Sequence, residues 1–271
     1  ILPADICNKS LRSGATVRKD GSQTTLTEFL CHGAAGACGA VVEPFAIAQK
    51  FPVPSIHVHY VHGCSLAEAF YQSVAGPFQL LIVGDPLCQP WAGRPTVMVD
   101  GIVPDQTVRG QIVFSPTVRF PNANRANYFE LFVDGIRTQH VEPGNQISLD
   151  TQSLADGYHE LRIVAVEAGP IERQGRLLVP IQVDNHGLGI DVSISPEGRV
   201  APDGILEFAA RAEGAEAIEF MHQQRLLGRI EGSQGTLRIE AAILGPGPCE
   251  LHVKTIGPHS VVAKPIEILV M

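Results

Sequence analysis

Two stretches of this chain repeat one another at an offset of roughly 90 residues, close to the length of one β-sandwich domain. Phe129-Glu130-Leu131-Phe132-Val133-Asp134-Gly135 parallels Ile218-Glu219-Phe220-Met221-His222-Gln223-Gln224. Tyr158-His159-Glu160-Leu161-Arg162-Ile163 parallels Pro248-Cys249-Glu250-Leu251-His252-Val253, and Pro180-Ile181-Gln182-Val183 parallels Pro265-Ile266-Glu267-Ile268. The hydrophobic pattern over the same region has a period of two. Leu161, Ile163 and Ala165 alternate with Arg162 and Val164, and Leu206, Phe208 and Ala210 alternate with Glu207. That period places alternate side chains on one face of a strand. The runs end in Gly, Pro, Asp or Asn, and Asp134-Gly135 is a hairpin signal between two of them. The repeat therefore predicts two consecutive β-sandwiches, at 94–184 and 185–271.

Residues 1–93 have a different texture. Thr24 and Thr25 stand where they would cap a short helix at Leu26–Leu30, and Gly39–Pro44 reads as a buried strand ended by proline. Ser65 and Glu68 have the spacing of a capping box, and Leu66, Ala69, Phe70 and Val74 follow at helical spacing. Leu80–Val83 is a continuous apolar run closed by Gly84-Asp85-Pro86. A helix followed by a fully apolar strand predicts a sheet covered on both faces, as in α/β folds. So short a segment makes a thin sheet, which reads as part of a larger domain and predicts that 1–93 alone is insoluble or unfolded. Trp91-Ala92-Gly93-Arg94-Pro95 is the expected linker.

The charge balance excludes one class of partner. A net charge of −8 without a basic run leaves no cluster of Lys and Arg to neutralise phosphates, so nucleic acid is excluded. The longest apolar runs are too short for a membrane-spanning helix. The first residue is Ile1 rather than Met, so the chain is expected to be processed or a piece of something longer. Cys7, Cys31, Cys38, Cys64, Cys88 and Cys249 match no CxxC zinc pattern and read as reduced, buried thiols. Neither sandwich holds a cysteine pair, which excludes an inter-sheet disulfide of the antibody type.

Several constellations have the residue types of a site. On a strand, His57 and His59 would share a face, with His62 and Cys64 folding back towards them; imidazole and thiolate suit zinc. The bland alternative is a ring of histidines hydrogen-bonded locally at a strand end. His32 beside Cys31 and near Cys38 has the components of a Cys–His dyad, which needs thiol and imidazole in hydrogen-bond reach. Gly33, Gly36 and Gly39 lie between a helix and a strand, the reverse of a phosphate-binding loop, and read as close packing. Asp85 follows a strand end, where α/β sites form, or else caps its own turn. Asp134, Asp150, Asp156, Glu167, Asp184 and Asp191 are calcium-type ligands, but no calcium-loop motif gathers them, so they read as scattered turn acids. Tyr128, Phe132 and Phe120 would make an aromatic sugar platform if they shared an exposed face. No catalytic residue, metal ligand or cofactor is assigned.

The strand ending in Val133-Asp134-Gly135 and the turn and strand Asp156-Gly157-Tyr158-His159-Glu160-Leu161 make the last two segments resemble bacterial Ig-like domains of exported proteins. The first segment, through Gly33–Pro44, Cys64–Val74 and Leu81–Cys88, is similar to the C-terminal part of an uncharacterised planctomycete-type bacterial family. More distantly, its order of elements resembles gingipain-like cysteine peptidases of the caspase-like fold. In that family a His and a Cys act from neighbouring strand ends; the His would fall upstream of Ile1, and the surroundings of Cys7 do not match a peptidase motif. These resemblances imply a mixed fold, a partial α/β caspase-like remnant followed by two all-β Ig-like sandwiches. They imply an exported or cell-surface protein whose Ig-like modules act as interaction or spacer units, with protein or cell-surface polysaccharide as partner. The alternatives are the C-terminal part of a divergent gingipain-like cysteine hydrolase and a carbohydrate-binding sandwich.

Overall fold

The structure, a computed structural model, describes residues 26–40, 47–78, 80–121, 125–169 and 171–271. The chain divides into two compact units: one runs to Arg94 and includes Gly169–Arg173, the other comprises Pro95–Ala168 and Gln174–Met271.

The first unit contains α1 (Leu26–Cys31), β1 (Gly36–Ala40), a 3-10 turn at Ala48–Lys50, α2 (Ser55–Val61), α3 (Leu66–Gln72) and β2 (Leu80–Gly84). The capping box forms: the Glu68 N–H donates to Ser65 Oγ at 3.3 Å, and the Ser65 N–H donates to Glu68 Oε2 at 2.7 Å. Leu66, Ala69 and Phe70 are buried on one face of α3, as their spacing predicts. β1 and β2 pair antiparallel, from Gly36 opposite Gly84 to Ala40 opposite Leu80. The expected sheet covered on both faces does not form among the described residues. β2 is nowhere fully buried and Leu81 is 37% exposed. Its partner strand is made of Gly, Ala and Cys and offers little bulk to bury it, and an apolar run does not by itself state how many faces are covered. The strand expected at Gly39–Pro44 begins earlier, at Gly36; Val41–Pro44 lie outside the described residues, as do Thr24 and Thr25. The close-packing reading of the glycines holds at Gly36, where a Cβ would run into the Leu66 side chain.

The second unit is all β. Its first part contains β3 (Thr96–Asp100), β4 (Gln106–Val108), β5 (Gln111–Arg119), β6 (Ala126–Val133), β7 (Ile136–Val141), β8 (Ile147–Asp150), β9 (Asp156–Glu167) and β10 (Gln174–Val183). Its second part contains β11 (Asp191–Ser195), β12 (Arg199–Val200), β13 (Ile205–Arg211), β14 (Ala217–His222), β15 (Arg225–Glu231), β16 (Gln234–Glu240), β17 (Gly247–Ile256), β18 (Val261–Val262) and β19 (Ile266–Val270). Each part has a three-stranded sheet, β3-β5-β8 and β11-β13-β16. Each also has a five-stranded one, ordered β7-β6-β9-β10-β4 and β15-β14-β17-β19-β12. In both, the short last strand of that order joins in parallel.

The alternation that defines the strands also fills the space between the sheets. In the first sandwich Val97, Phe114 and Ile147 from one sheet meet Leu131, Leu161, Ile163 and Ile181 from the other. In the second, Leu206, Phe208 and Ile239 meet Phe220, Leu251, Val253 and Ile268, with the Phe208 and Phe220 rings 5.1 Å apart. The Asp134-Gly135 hairpin forms between β6 and β7 with both residues at positive φ, +50° and +81°, the signature of a tight primed turn.

Candidate functional site: the joint between the sandwiches

The two larger sheets are continuous through β18. Val261 and Val262 pair in parallel with Asp156 and Gly157 at the start of β9, while Val262 also pairs antiparallel with Lys254 of β17. Gly157 sits at φ +96°, and a Cβ there would collide with the Val262 carbonyl oxygen. Only glycine serves both demands. On the other side, Thr255 Oγ1 accepts the Val261 N–H at 2.7 Å.

Asp156 is the hub of this joint. It is fully buried, and its own N–H donates to the Ser260 carbonyl at 3.0 Å. Its carboxylate accepts three backbone N–H groups from the segment connecting the sandwiches: Asn185 at 2.8 Å, His186 at 3.0 Å and Leu188 at 3.0 Å. His186 Nδ1 lies 3.4 Å from the same carboxylate, and its ring stacks on His259 with centroids 3.9 Å apart. Burial alone would raise the Asp156 pKa, but the donors from Leu188, Asn185 and His186 outweigh it and hold the group below the ordinary carboxylate value. Asn185 extends the lock: its Oδ1 accepts the Gly110 N–H at 3.1 Å, and its Nδ2 donates to the buried Thr151 carbonyl at 2.7 Å.

Three residues along β9, His159 is buried with 5% of its side chain exposed. Its Nδ1 lies 2.6 Å from Asp134 Oδ2 and its Nε2 lies 2.9 Å from the Ala155 carbonyl oxygen. The other Asp134 oxygen accepts the Glu160 N–H at 2.9 Å. Burial pushes the His159 pKa down, but Asp134, the Ala155 carbonyl and Asp156 together raise it above the ordinary value.

In the sequence Asp156 is one of the calcium-type acids read as scattered turn residues, and His159 is no candidate at all. The Asp156-Gly157 pair ahead of a strand is the local signal, and the donors that the carboxylate collects come from residues about 30 positions away. Two of the other candidate acids serve their own turns. Asp150 caps a 3-10 turn through the Gln152 N–H at 3.0 Å, and Asp85 accepts the Leu87 N–H at 3.0 Å, the turn-capping alternative. Among the described residues no group of three or more His, Cys, Asp and Glu is placed to hold a metal ion.

The histidine constellation changes character. His57 and His59 lie on α2, not on a strand, and His62 caps its C-terminus. On a helix, residues two apart diverge by about 200°, so His57 and His59 do not share a face. The misreading has a physical source: Ile56, Val58 and Tyr60 alternate with the histidines like a strand, but over so few residues the period does not discriminate. Tyr60 donates to Cys88 Sγ at 3.2 Å and packs edge-on to Trp91; burial, with the Cys88 contact second, pushes its phenol up to about 12.

The dyad candidates separate as well. Cys31 is disulfide-bonded, which corrects its reading as a reduced thiol and removes it as a nucleophile. His32 Nδ1 lies 2.8 Å from the Glu28 carbonyl. Burial pushes the Cys38 thiol up to about 11, away from the thiolate form. Cys7 lies outside the described residues. Of the proposed aromatic platform, Tyr128 and Phe132 sit four apart on β6 and so face the same way; Tyr128 packs on His140 at 4.4 Å, and the Arg162 guanidinium covers Phe132 at 4.4 Å. Phe120 lies beyond the end of β5.

No model of a known protein family matches the chain, and no curated protein matches it. Solved structures overlap it at low similarity. The fibronectin(III)-like modules of Clostridium thermocellum CbhA are 18% identical over 65% of this chain and 94% of theirs, with a TM-score of 0.29. A chimeric titin Z1Z2 tandem is 14% identical over 65% and 99%, with a TM-score of 0.32. The Bacteroides ovatus mixed-linkage glucan utilization locus protein SGBP-B, solved with a mixed-linkage heptasaccharide, is 11% identical over 64% and 47%, with a TM-score of 0.34. No described helix is long and apolar enough to cross a membrane.

Proposed function

We propose that this chain is an exported or cell-surface binding module in which two Ig-like sandwiches, locked as one piece, present an outer sheet face to a protein or polysaccharide. The observation that carries the reading is the joint. A fully buried carboxylate with three backbone donors, and a strand shared between two sheets, make a stiff connection that independent beads on a string do not need. The resemblance of the first segment to a planctomycete-type family and to gingipain-like peptidases leaves a cysteine hydrolase as the competing reading. The test is a hydrolysis screen of the purified chain on peptide, ester and glycoside substrates, with and without thiol alkylation, beside pull-down on cell-wall polysaccharide and secreted protein. Binding without turnover supports the module; turnover abolished by alkylation replaces it with the hydrolase.

A carbohydrate ligand is a second reading: Tyr128 and Phe132 share one face of β6 beside the Arg137–Glu130 pair at 2.8 Å, and a sugar ring would stack there by displacing His140 and Arg162, which cover the two rings in the free chain. Aromatic faces with flanking hydrogen-bonding groups suit sugar rings. Affinity electrophoresis against soluble β-glucans and uronic-acid polymers tests this: retardation lost in Tyr128→Ala supports it, and unretarded migration in all of them rejects it.

A further inference from the structure

His159 faces two oxygens that can only accept, and this fixes its charge. A neutral imidazole carries one N–H and one lone pair. At 2.6 Å from the Asp134 carboxylate and 2.9 Å from the Ala155 carbonyl, each ring nitrogen has to donate. The groups that face this ring are Asp134 from the β6–β7 turn and Asp156 from the start of its own strand, with His186 lying beyond Asp156. Both near groups are acidic, and their charge favours the imidazolium.

We propose that His159 is a proton-operated clamp on the joint: doubly protonated, it holds the Asp134 turn and the Ala155 carbonyl together, and loss of one proton frees the Ala155–Asp156 step on which the joint is built. The proton that stays is the one on Nδ1, because it faces a charge. The Nε2 lone pair then points at the Ala155 oxygen, and the two repel. Ala155 precedes Asp156, whose N–H meets the second sandwich at Ser260 and whose carboxylate collects the amides of Asn185, His186 and Leu188. A shift of the Ala155 carbonyl is therefore passed to all four contacts by one peptide unit. The raised pKa of His159 places the release on the alkaline side of an ordinary histidine.

The second sandwich contains the control. Ninety residues on from His159 stands Cys249, whose thiol lies 3.8 Å from the carbonyl of Gly245, the counterpart of Ala155. That contact has no imidazole and no ion pair. The clamp thus exists only in the sandwich whose strand start forms the joint.

The test is amide hydrogen exchange of the full chain across neutral to alkaline pH, corrected for intrinsic rates, with the His159 ring followed by NMR. Protection of the Asn185, His186 and Leu188 amides is expected to fall about tenfold as the ring loses its proton, since local opening is what exchange reports. In Asp134→Asn, which removes a half-exposed carboxylate, the fall should move to lower pH together with the ring titration. Protection that stays level while the His159 ring titrates overturns the proposal, as does a fall of the same size at the Cys249 end of the second sandwich.

Discussion

The two sandwiches share a strand order and even a pairing register, yet they finish their corners with opposite chemistry. Leu131 pairs with Ile163 in the first and Phe220 with Val253 in the second, and both hairpins carry a register shift one residue after Leu131 or Phe220. At the ends of those strands the first has Asp134 and His159, an ion pair of 2.6 Å. The second has Gln223 and Cys249, and the thiol lies near the carbonyls of Leu244, Gly245 and Gly247. Alternating apolar residues suffice to build the sandwich; the polar fittings at the strand ends are free to differ. The first sandwich uses that freedom to build the joint.

The largest test of this comparison is a matched core deletion. Leu131→Ala and Phe220→Ala remove fully buried side chains at corresponding positions and should each cost about 2–5 kcal/mol. If the joint makes the sandwiches cooperative, calorimetry will show each variant lowering one shared transition. Two separate transitions, with only the mutated sandwich shifted, would break the picture of a single piece.

Asp156→Asn comes next. It replaces a buried acceptor of three N–H groups with an amide that turns two donors towards them, and about 3 kcal/mol should be lost in denaturant titrations. No counterpart loss exists in the second sandwich, where Pro246 occupies the matching place. In the wild type the Asp156 carboxylate has a depressed pKa, so its contribution is complete above the unfolded value of about 3.9 and disappears as pH falls through the lower folded value. Acid unfolding followed by circular dichroism should therefore begin earlier in the variant.

His159 gives a smaller effect of opposite sign. Its folded pKa is raised, so its contribution is complete below the unfolded value of about 6.5 and fades as pH rises through the folded one. Thermal melts of the wild type should lose stability across that alkaline window. His159→Gln should be less stable at low pH, by about 1–2 kcal/mol, and flat across the window. Cys249→Ala should show the smallest change, about 1 kcal/mol, because the site loses a small buried group. A loss in Cys249→Ala as large as that in His159→Gln would remove the contrast between the two corners.

Much of the β architecture was legible in advance because its signals are local. The period-two runs around Leu161–Ala165, Leu206–Ala210 and Leu251–Val253 lie in strands with those residues buried. The Asp134-Gly135 turn and the Ser65–Glu68 capping box form as spaced. Short segments with ambiguous period were misread, as at His57–His62, where a helix of seven residues carries a strand-like alternation. The candidate site was not legible. Asp156 and His159 stand in a turn-and-strand stretch that marks the fold and no site, and their partners Asn185, His186, Leu188, Ser260 and Asp134 are reached through tertiary contact.

What the sequence determined by itself was which side chains face inward, because alternation and turn chemistry act between near neighbours and need no knowledge of the rest of the chain. It took the folded chain to bury Asp156 with enough backbone donors to outweigh the cost of its desolvation, and to set His159 between two acceptors. Burial and charge depend on which distant donors and acceptors arrive beside a group, and for Asp156 and His159 those arrive from another turn, another linker and another sandwich.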